Sequence, residues 1–385
     1  MIKKAKEYLP ILLLSLLPTI LVWLPFFARL KKFWGIPLPE GGMTTVVSNY
    51  DGPLYIAIAK TLYNPELIKQ NFSFDLPVEY YAAHFPLYPF LVRLVATITV
   101  FPYAMLAVTC FSAFIALSFF YLLAKEYTSK DNALWLTTIF SIFPARWLII
   151  RSVGSPEPLF IATIIASVYF FKKEKYWFAG LFGALAQLTK SPGILLFLAY
   201  LCIIFSSEFK RLANTHLNKW FQKINFSVYP ILLIPLSLIA VFALYQQTFN
   251  NFFAYFNSGD NIHLFFPPFQ IFNYQAPWVN THWLEEIILF YLICLLGLSQ
   301  LIKQKDNVLS WFVAIFLSSI FFVSHRDIIR YALPITPFLI IGTRDLLTSK
   351  EFKIILCILA LPIYLFSLAY ISQNTMPISN WSPLL

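Results

Sequence analysis

The feature that most constrains this chain is a succession of apolar stretches, each about as long as a bilayer is thick. They lie near 9–28, 103–124, 133–150, 157–171, 176–190, 191–206, 228–247, 285–302, 308–324, 331–343 and 354–372. A helix rises about 1.5 Å per residue, so roughly 20 apolar residues cross the ~30 Å hydrocarbon layer. Inside lipid every backbone polar group must be satisfied within the protein, which favours helices here. Hydrophobic residues make up 59% of the 385 positions and charged residues 12%, more apolar surface than a water-soluble core hides. The expected fold class is therefore an all-α polytopic membrane protein, a single domain over 1–385 with about eleven transmembrane helices. Lys3, Lys4 and Lys6 ahead of the first stretch imitate a signal peptide. That stretch exceeds the 7–15 residues typical of a signal's apolar region and reads as an uncleaved span.

Basic residues orient the chain. The stretch 85–102 is also apolar, and whether it spans decides the side of everything after it. If it does not, 17 of the 28 basic residues fall on the side of the N-terminus, and the loop 248–284 opposite carries no Lys or Arg. Counting it as a span reverses that pattern, against the positive-inside rule. Pro86, Pro89 and Arg93 also suit an interfacial or re-entrant helix. The expectation is an N-terminus in the cytoplasm and two large outer loops, 29–84 and 248–284, the second dense in aromatics. That second loop could stack on sugar or acyl chains, or simply cover the membrane surface.

Several function classes drop out. The net charge of +10 reads as loops held against anionic lipid, not as a nucleic-acid surface. Cys110, Cys202, Cys294 and Cys357 stand far apart with no CxxC, and no GxGxxG or GxxxxGK[ST] cradles a nucleotide. His84, His216, His263, His282 and His325 occur singly, so no metal motif is present. A divalent cation, Mg2+ or Mn2+, could sit on Asp51, but no spacing calls for one.

The ionisable residues on the outer side are the candidates for chemistry. The acids are Asp51, Glu66, Asp75, Glu79, Glu157, Asp260, Glu285, Glu286 and Asp327; the cations include Arg93, Arg151, Lys190, Arg326 and Arg330. Asp51 begins a helix over 49–59 that is expected to lie in the interface. There it serves either as an N-cap or as a general base for a hydroxyl. His84, Tyr88 and Arg93 are expected to share one surface, as substrate contacts or as ordinary interfacial residues. Glu157, between Pro156 and Pro158, either caps a span or faces a substrate. Lys190 either snorkels or holds a lipid phosphate. Arg326 and Arg330, four apart, fall on one helix face and point to an anionic ligand such as phosphate.

Five segments carry a resemblance. They are Tyr50-Asp51-Gly52, the run His84 to Pro89, Ile142 to Phe160 with its Ser155-Pro156-Glu157-Pro158-Leu159-Phe160 end, Phe178 to Gly193, and Arg330 to Pro337. In order and spacing they resemble the GT-C class of integral membrane glycosyltransferases, most closely the prokaryotic form of the GPI mannosyltransferase II (PIG-V) family. Departures are Tyr50 where that family has Trp, His84 for Phe, Pro156 before the Glu, and Lys190-Ser191 in place of Arg-Pro. The resemblance implies a GT-C fold and transfer of a hexose, such as mannose, from a polyprenyl-phosphate carrier to a lipid, glycan or protein acceptor on the outer face. It implies Asp51 as base, Arg330 with Arg326 or Lys190 on the leaving phosphate, and Glu157 and His84 as positioning groups. The expected compartment is a prokaryotic plasma membrane. An O-antigen polymerase or ligase, a lipid or sugar transporter and a non-catalytic assembly subunit are the rival classes. A transporter calls for mid-span ionisable groups and a repeat, neither of which is seen, and a polymerase or ligase for arginines in loop 248–284.

Overall fold

The computed structural model describes residues 2–74, 76–213, 226–259, 262–273, 275 and 283–385. Asp75, His216, Lys219, Lys223, Asp260 and His282 lie outside the described residues.

Helix α1 (Ile2–Phe27) leads to a two-stranded hairpin, β1 (Lys32–Phe33) and β2 (Ile36–Pro37). Four short helices follow: α2 (Met43–Val47), α3 (Gly52–Thr61), α4 (Pro65–Asn71) and α5 (Leu87–Val95). The long α6 (Phe101–Ala124) precedes α7 (Lys130–Ile142) and α8 (Ala145–Ser152), which meet at Pro144 with a bend of 71°. A proline lacks the N–H that would continue the ladder, which accounts for the break. Then come α9 (Glu157–Lys172), α10 (Tyr176–Thr189), α11 (Ile194–Ala213) and α12 (Leu233–Phe249). The last group is α13 (Trp283–Lys303), α14 (Asn307–Ile320), α15 (Ile328–Tyr331), α16 (Thr336–Gly342), α17 (Arg344–Leu347) and α18 (Lys350–Gln373).

Every apolar window of the sequence is largely helical, but 133–150 is split between α7 and α8 and 331–343 is broken ahead of α16, so the windows do not map one to one onto spanning helices. Among the described residues five are long and apolar enough to cross a bilayer, or six with the α7–α8 pair taken as one. The protein is an integral multi-pass membrane protein. Leu9, Leu13, Leu17 and Leu21 on α1 and Ile288, Leu292 and Leu296 on α13 are exposed, as a lipid-facing surface requires. Helix α5 has nine residues, about 14 Å of helix, and is too short to cross on its own.

Two apolar cores pack the molecule, one around α6, α9, α10, α14 and α16, the other around α3, α5 and the near ends of α6 and α8. Helix α3 differs from expectation. It forms over Gly52–Thr61 but is buried from Gly52 to Ala59, covered by protein on nearly every side instead of lying open on an interface. Gly52 explains how it fits. A Cβ there would meet the Val47 carbonyl oxygen at 2.4 Å, so only glycine lets α3 start so close to α2. Gly154 is as tight, with Met105 Sδ at 2.6 Å from its Cβ position, and this brings the start of α9 beside the start of α3.

Candidate active site

The segment before α3 is anchored by the far end of the chain. Asn49 is fully buried and its amide donates to the carbonyls of Thr45 and Ile371, both at 2.9 Å. Its Oδ1 accepts from Asn374 Nδ2 at 3.3 Å, and Met376 N donates to the Ser48 carbonyl at 2.7 Å. These bonds tie residues 48–50 to the end of α18. Tyr50 then adopts φ 49°, a left-handed turn uncommon for a bulky residue, and Asp51 emerges into a cavity of 770 Å³. That volume lies in the range of ligand-binding clefts.

Asp51 heads α3, yet its carboxylate makes no capping bond to the helix backbone. The side chain instead sits 3.7 Å, Oδ2 to Nε2, from His84, an ion-pair separation beyond hydrogen-bond reach. His84 is buried, its ring edge-on to Tyr55 with centroids 4.8 Å apart, and its Nδ1 bonds to no group among the described residues. Burial raises the Asp51 carboxyl, but His84 and the Arg330 charge outweigh it and hold the group below the ordinary carboxylate range. An ionised carboxylate facing a cavity can accept a proton from a bound hydroxyl.

A second cluster lines the same cavity. Glu157 Oε1 accepts from Lys190 Nζ at 2.7 Å and from Arg330 Nε at 2.8 Å, with Arg330 Nη2 at 2.6 Å completing the ion pair. The Ser155 hydroxyl donates to Glu157 Oε2. The carboxylate is almost wholly buried, so one negative charge is shared by two cations and the cluster keeps a net positive charge. Arg326 also lines the cavity, is exposed, and pairs with no acid among the described residues.

A stack backs these groups. The Arg330 guanidinium lies 4.2 Å from the Tyr50 ring centre, Tyr50 is 5.9 Å from Tyr370, and the Arg146 guanidinium lies 3.8 Å from Tyr370. Arg146 Nε in turn approaches Asp327 Oδ1 at 3.0 Å, at an angle outside hydrogen-bond geometry. Burial holds the Asp327 carboxyl above its ordinary value even beside Arg146 and Arg330. His325 and His263 face one another on the wall with centroids 4.4 Å apart. Burial, then His263, Arg330 and Arg326, push His325 down to about 4, so it is neutral at pH 7.

The structure thus gathers Asp51, His84, Glu157, Lys190, Arg326 and Arg330 around one cavity. Tyr88 is not among them. It is fully buried behind the wall, with its hydroxyl 2.7 Å from Thr109 Oγ1, and Thr109 accepts from the Ser155 amide at 3.3 Å. It buttresses the loop that carries Glu157. Arg93 does not join His84 either, because its Nη1 donates to the Ala59 and Lys60 carbonyls at the end of α3. Arg151 is fully buried and donates to the carbonyls of Ser141, Leu14 and Ser15, closing the α7–α8 break against α1. The expected helix face shared by Arg326 and Arg330 does not form, since α15 begins only at Ile328 and Arg326 precedes it in a turn. Glu66, Glu79, Glu285 and Glu286 are exposed away from the cavity. Part of the aromatic loop reaches in: Tyr255 and Phe256 line the wall, and Tyr255 Oη donates to Ser191 Oγ at 2.8 Å. Other rings of that loop, Phe253 and Phe266, are exposed. No group of three or more His, Cys, Asp or Glu among the described residues converges on a metal position.

The fold can be compared with solved structures. ArnT from Cupriavidus metallidurans, solved bound to undecaprenyl phosphate, aligns with a TM-score of 0.55 at 10% identity over 91% of this chain and 63% of that one. The Archaeoglobus fulgidus oligosaccharyltransferase in its apo form aligns with a TM-score of 0.53 at 13% identity, over 97% of this chain and 57% of that one. This chain has the GT-C fold. The archaeal oligosaccharyltransferase AglB, in complex with an inhibitory peptide and a dolichol-phosphate, gives 0.52 at 14% identity, over 98% and 57%. The GT-C unit described here therefore spans about three-fifths of the length of those structures. No family model and no curated protein matches the chain.

Proposed function

We propose that this protein is a glycosyltransferase that takes a sugar from a polyprenyl-phosphate carrier, with Asp51 as the general base. The observation that carries the reading is Asp51 itself. It heads a helix without capping it, and its carboxylate, 3.7 Å from His84, lines a 770 Å³ cavity shared with the Glu157–Lys190–Arg330 cluster and Arg326. The GT-C fold supports the class, since ArnT was solved with undecaprenyl phosphate and AglB with a dolichol-phosphate.

The chemistry follows from the charges. An acceptor hydroxyl gives its proton to Asp51 Oδ as its oxygen attacks the anomeric carbon. The bond from that carbon to the phosphate oxygen breaks on the opposite side, and the configuration inverts. The departing phosphate keeps the electron pair, so negative charge grows where Arg330, Lys190 and Arg326 supply positive charge. Glu157 holds Arg330 and Lys190 in fixed directions before the donor arrives, so little reorganisation is left for the reaction itself. Aromatic rings on the wall, Tyr80, Tyr255 and Tyr331 among them, offer surface on which a sugar ring can stack. The motif resemblance to the GPI mannosyltransferase II family makes mannose the first donor to try and the outer face the side on which to look for the reaction.

The test is release of free polyprenyl phosphate from polyprenyl-phosphate-mannose by the purified protein, with membrane lipid extract as acceptor. Release that depends on acceptor supports the reading. No release from this donor or from a panel of other polyprenyl-phosphate sugars would refute it.

A further inference from the structure

Helix α9 carries Glu157 at one end and Lys172 at the other, 16 residues that span about 24 Å. At the Lys172 end lies a second, smaller pocket of 250 Å³, remote from the Asp51 cavity. Its walls include Tyr127, Lys172, Gln304, Lys305, Asp306 and Arg344. It forms where the apolar helices α9 and α13 end and where α14 and α17 begin.

The charges there do not cancel. Lys172 Nζ donates to Asp306 Oδ2 at 2.7 Å, and the Tyr127 hydroxyl donates to the same oxygen. The other Asp306 oxygen caps α14 by accepting from Leu309 N at 3.0 Å. Asp306 is therefore spent on Lys172 and on the helix. Arg344 is held by neutral groups, donating to Gln304 Oε1 at 2.5 Å and to the Ile341 carbonyl at 3.2 Å. Gln304 is fixed in turn by its own bond to the Gly342 carbonyl at 2.8 Å. The nearest acid to Arg344 is Asp345, 3.8 Å away and 89% exposed, where water screens it. Lys305 is exposed, is held in a left-handed turn at φ 58°, and pairs with no acid among the described residues. An oriented guanidinium and a lysine are thus left over at one pocket.

The surroundings say what sort of anion fits. Ile302 and Leu346, two positions from Gln304 and Arg344 and outside the pocket lining, are 59% and 66% exposed, so the same two helix ends that carry the charge also carry open apolar surface. A soluble anion has no use for that surface, whereas a phospholipid places acyl chains there and its phosphate one step outward. We propose that this pocket binds the phosphate of an anionic phospholipid headgroup, at the membrane surface opposite the Asp51 cavity. The guanidinium fork of Arg344 suits a phosphate geometrically and Lys305 adds a point charge. The excess of Lys and Arg in the loops on this side of the chain agrees with a surface that faces anionic lipid.

The experiment uses the full chain in nanodiscs of phosphatidylcholine with and without phosphatidylglycerol. The readouts are the apparent melting temperature and, by native mass spectrometry, the phosphatidylglycerol retained after detergent exchange. Wild type should melt higher with phosphatidylglycerol and retain it. Lys305→Gln should cut both effects by about half, and Lys305→Gln with Arg344→Gln should remove them. Lys173→Gln, which breaks a pair with Glu126 outside the pocket, should keep the full wild-type response. If the double variant is unstable without the anionic lipid, Lys305→Gln alone carries the test, because that side chain pairs with no group among the described residues. A full response in Lys305→Gln overturns the proposal. So does an equal rise given to wild type by inorganic phosphate in phosphatidylcholine alone, which would make the pocket a soluble-anion site.

Discussion

Replacing Glu157 by Gln keeps the side chain's shape and removes its charge. In the wild type that charge is the shared partner of Lys190 and Arg330, with three contacts of 2.6–2.8 Å to one buried oxygen. Lys190 and Arg330 are themselves 27% and 17% exposed, so water makes up only part of the loss. Removing one partner of a buried pair costs roughly 3–5 kcal/mol, because it strands the other charge. At about 2 °C per kcal/mol for a large domain, the apparent melting temperature should fall by roughly 6–10 °C. The assay is thermal unfolding of the purified protein in detergent, with and without polyprenyl phosphate. The lipid phosphate should raise the midpoint of the variant more than that of the wild type, since only the variant holds two cations without a counter-charge. Adding Arg330→Met should recover part of the loss by removing one stranded cation. A Glu157→Gln protein that melts with the wild type, and gains no more from the lipid phosphate, would refute this electrostatic account of the cluster.

Other consequences follow from the same geometry. Asp51 must be ionised to act, and its lowered pKa puts the acid limb of kcat/KM below the ordinary value of about 3.9. His84→Gln removes one of the groups that lower it, so the limb should move to higher pH in a pH–rate profile. Gly52→Ala forces a Cβ against the Val47 carbonyl at 2.4 Å; the overpacking should cost about 1–3 kcal/mol in a melting experiment and depress turnover by displacing Asp51. Tyr370→Ala removes the ring between Arg146 and Tyr50, so kcat should fall with little change in KM, and Tyr370→Phe should restore it. His325 is held neutral, with its pKa pushed down to about 4 from 6.5, so its contribution to stability is complete above 6.5 and is lost as pH falls toward 4. In His325→Gln, melting temperature should vary less over that range.

The helices were legible because lipid leaves the chain little choice: a long apolar run has to satisfy its own backbone, and every window is largely helical, though breaks fall inside 133–150 and 331–343. Asp51 was legible as a helix head, since Gly52 and Pro53 mark the start of α3, but whether it capped that helix depended on a side-chain direction that spacing does not encode. The Glu157 cluster joins residues 33 and 173 positions apart, and only the tertiary fold brings Lys190 and Arg330 to one carboxylate. Arg146, Tyr370 and Asn49 gave no signal at all, because each acts through a neighbour distant in the chain. Tyr88, Arg93 and Arg151 were misleading for the opposite reason. A polar residue near a membrane boundary looks the same in sequence whether it meets substrate or satisfies backbone carbonyls, and in Arg93 and Arg151 the carbonyls win. The mannose-specific part of the resemblance rests on motif order alone, while the GT-C fold stands on the structure.

The central claim is that Asp51 takes the acceptor's proton. The direct measurement is acceptor-dependent release of polyprenyl phosphate by wild type and Asp51→Asn side by side, with donor binding measured on the same preparations. The account predicts that Asp51→Asn still folds and binds the polyprenyl-phosphate sugar but releases no lipid phosphate above background. Wild-type release from the Asp51→Asn protein would contradict it.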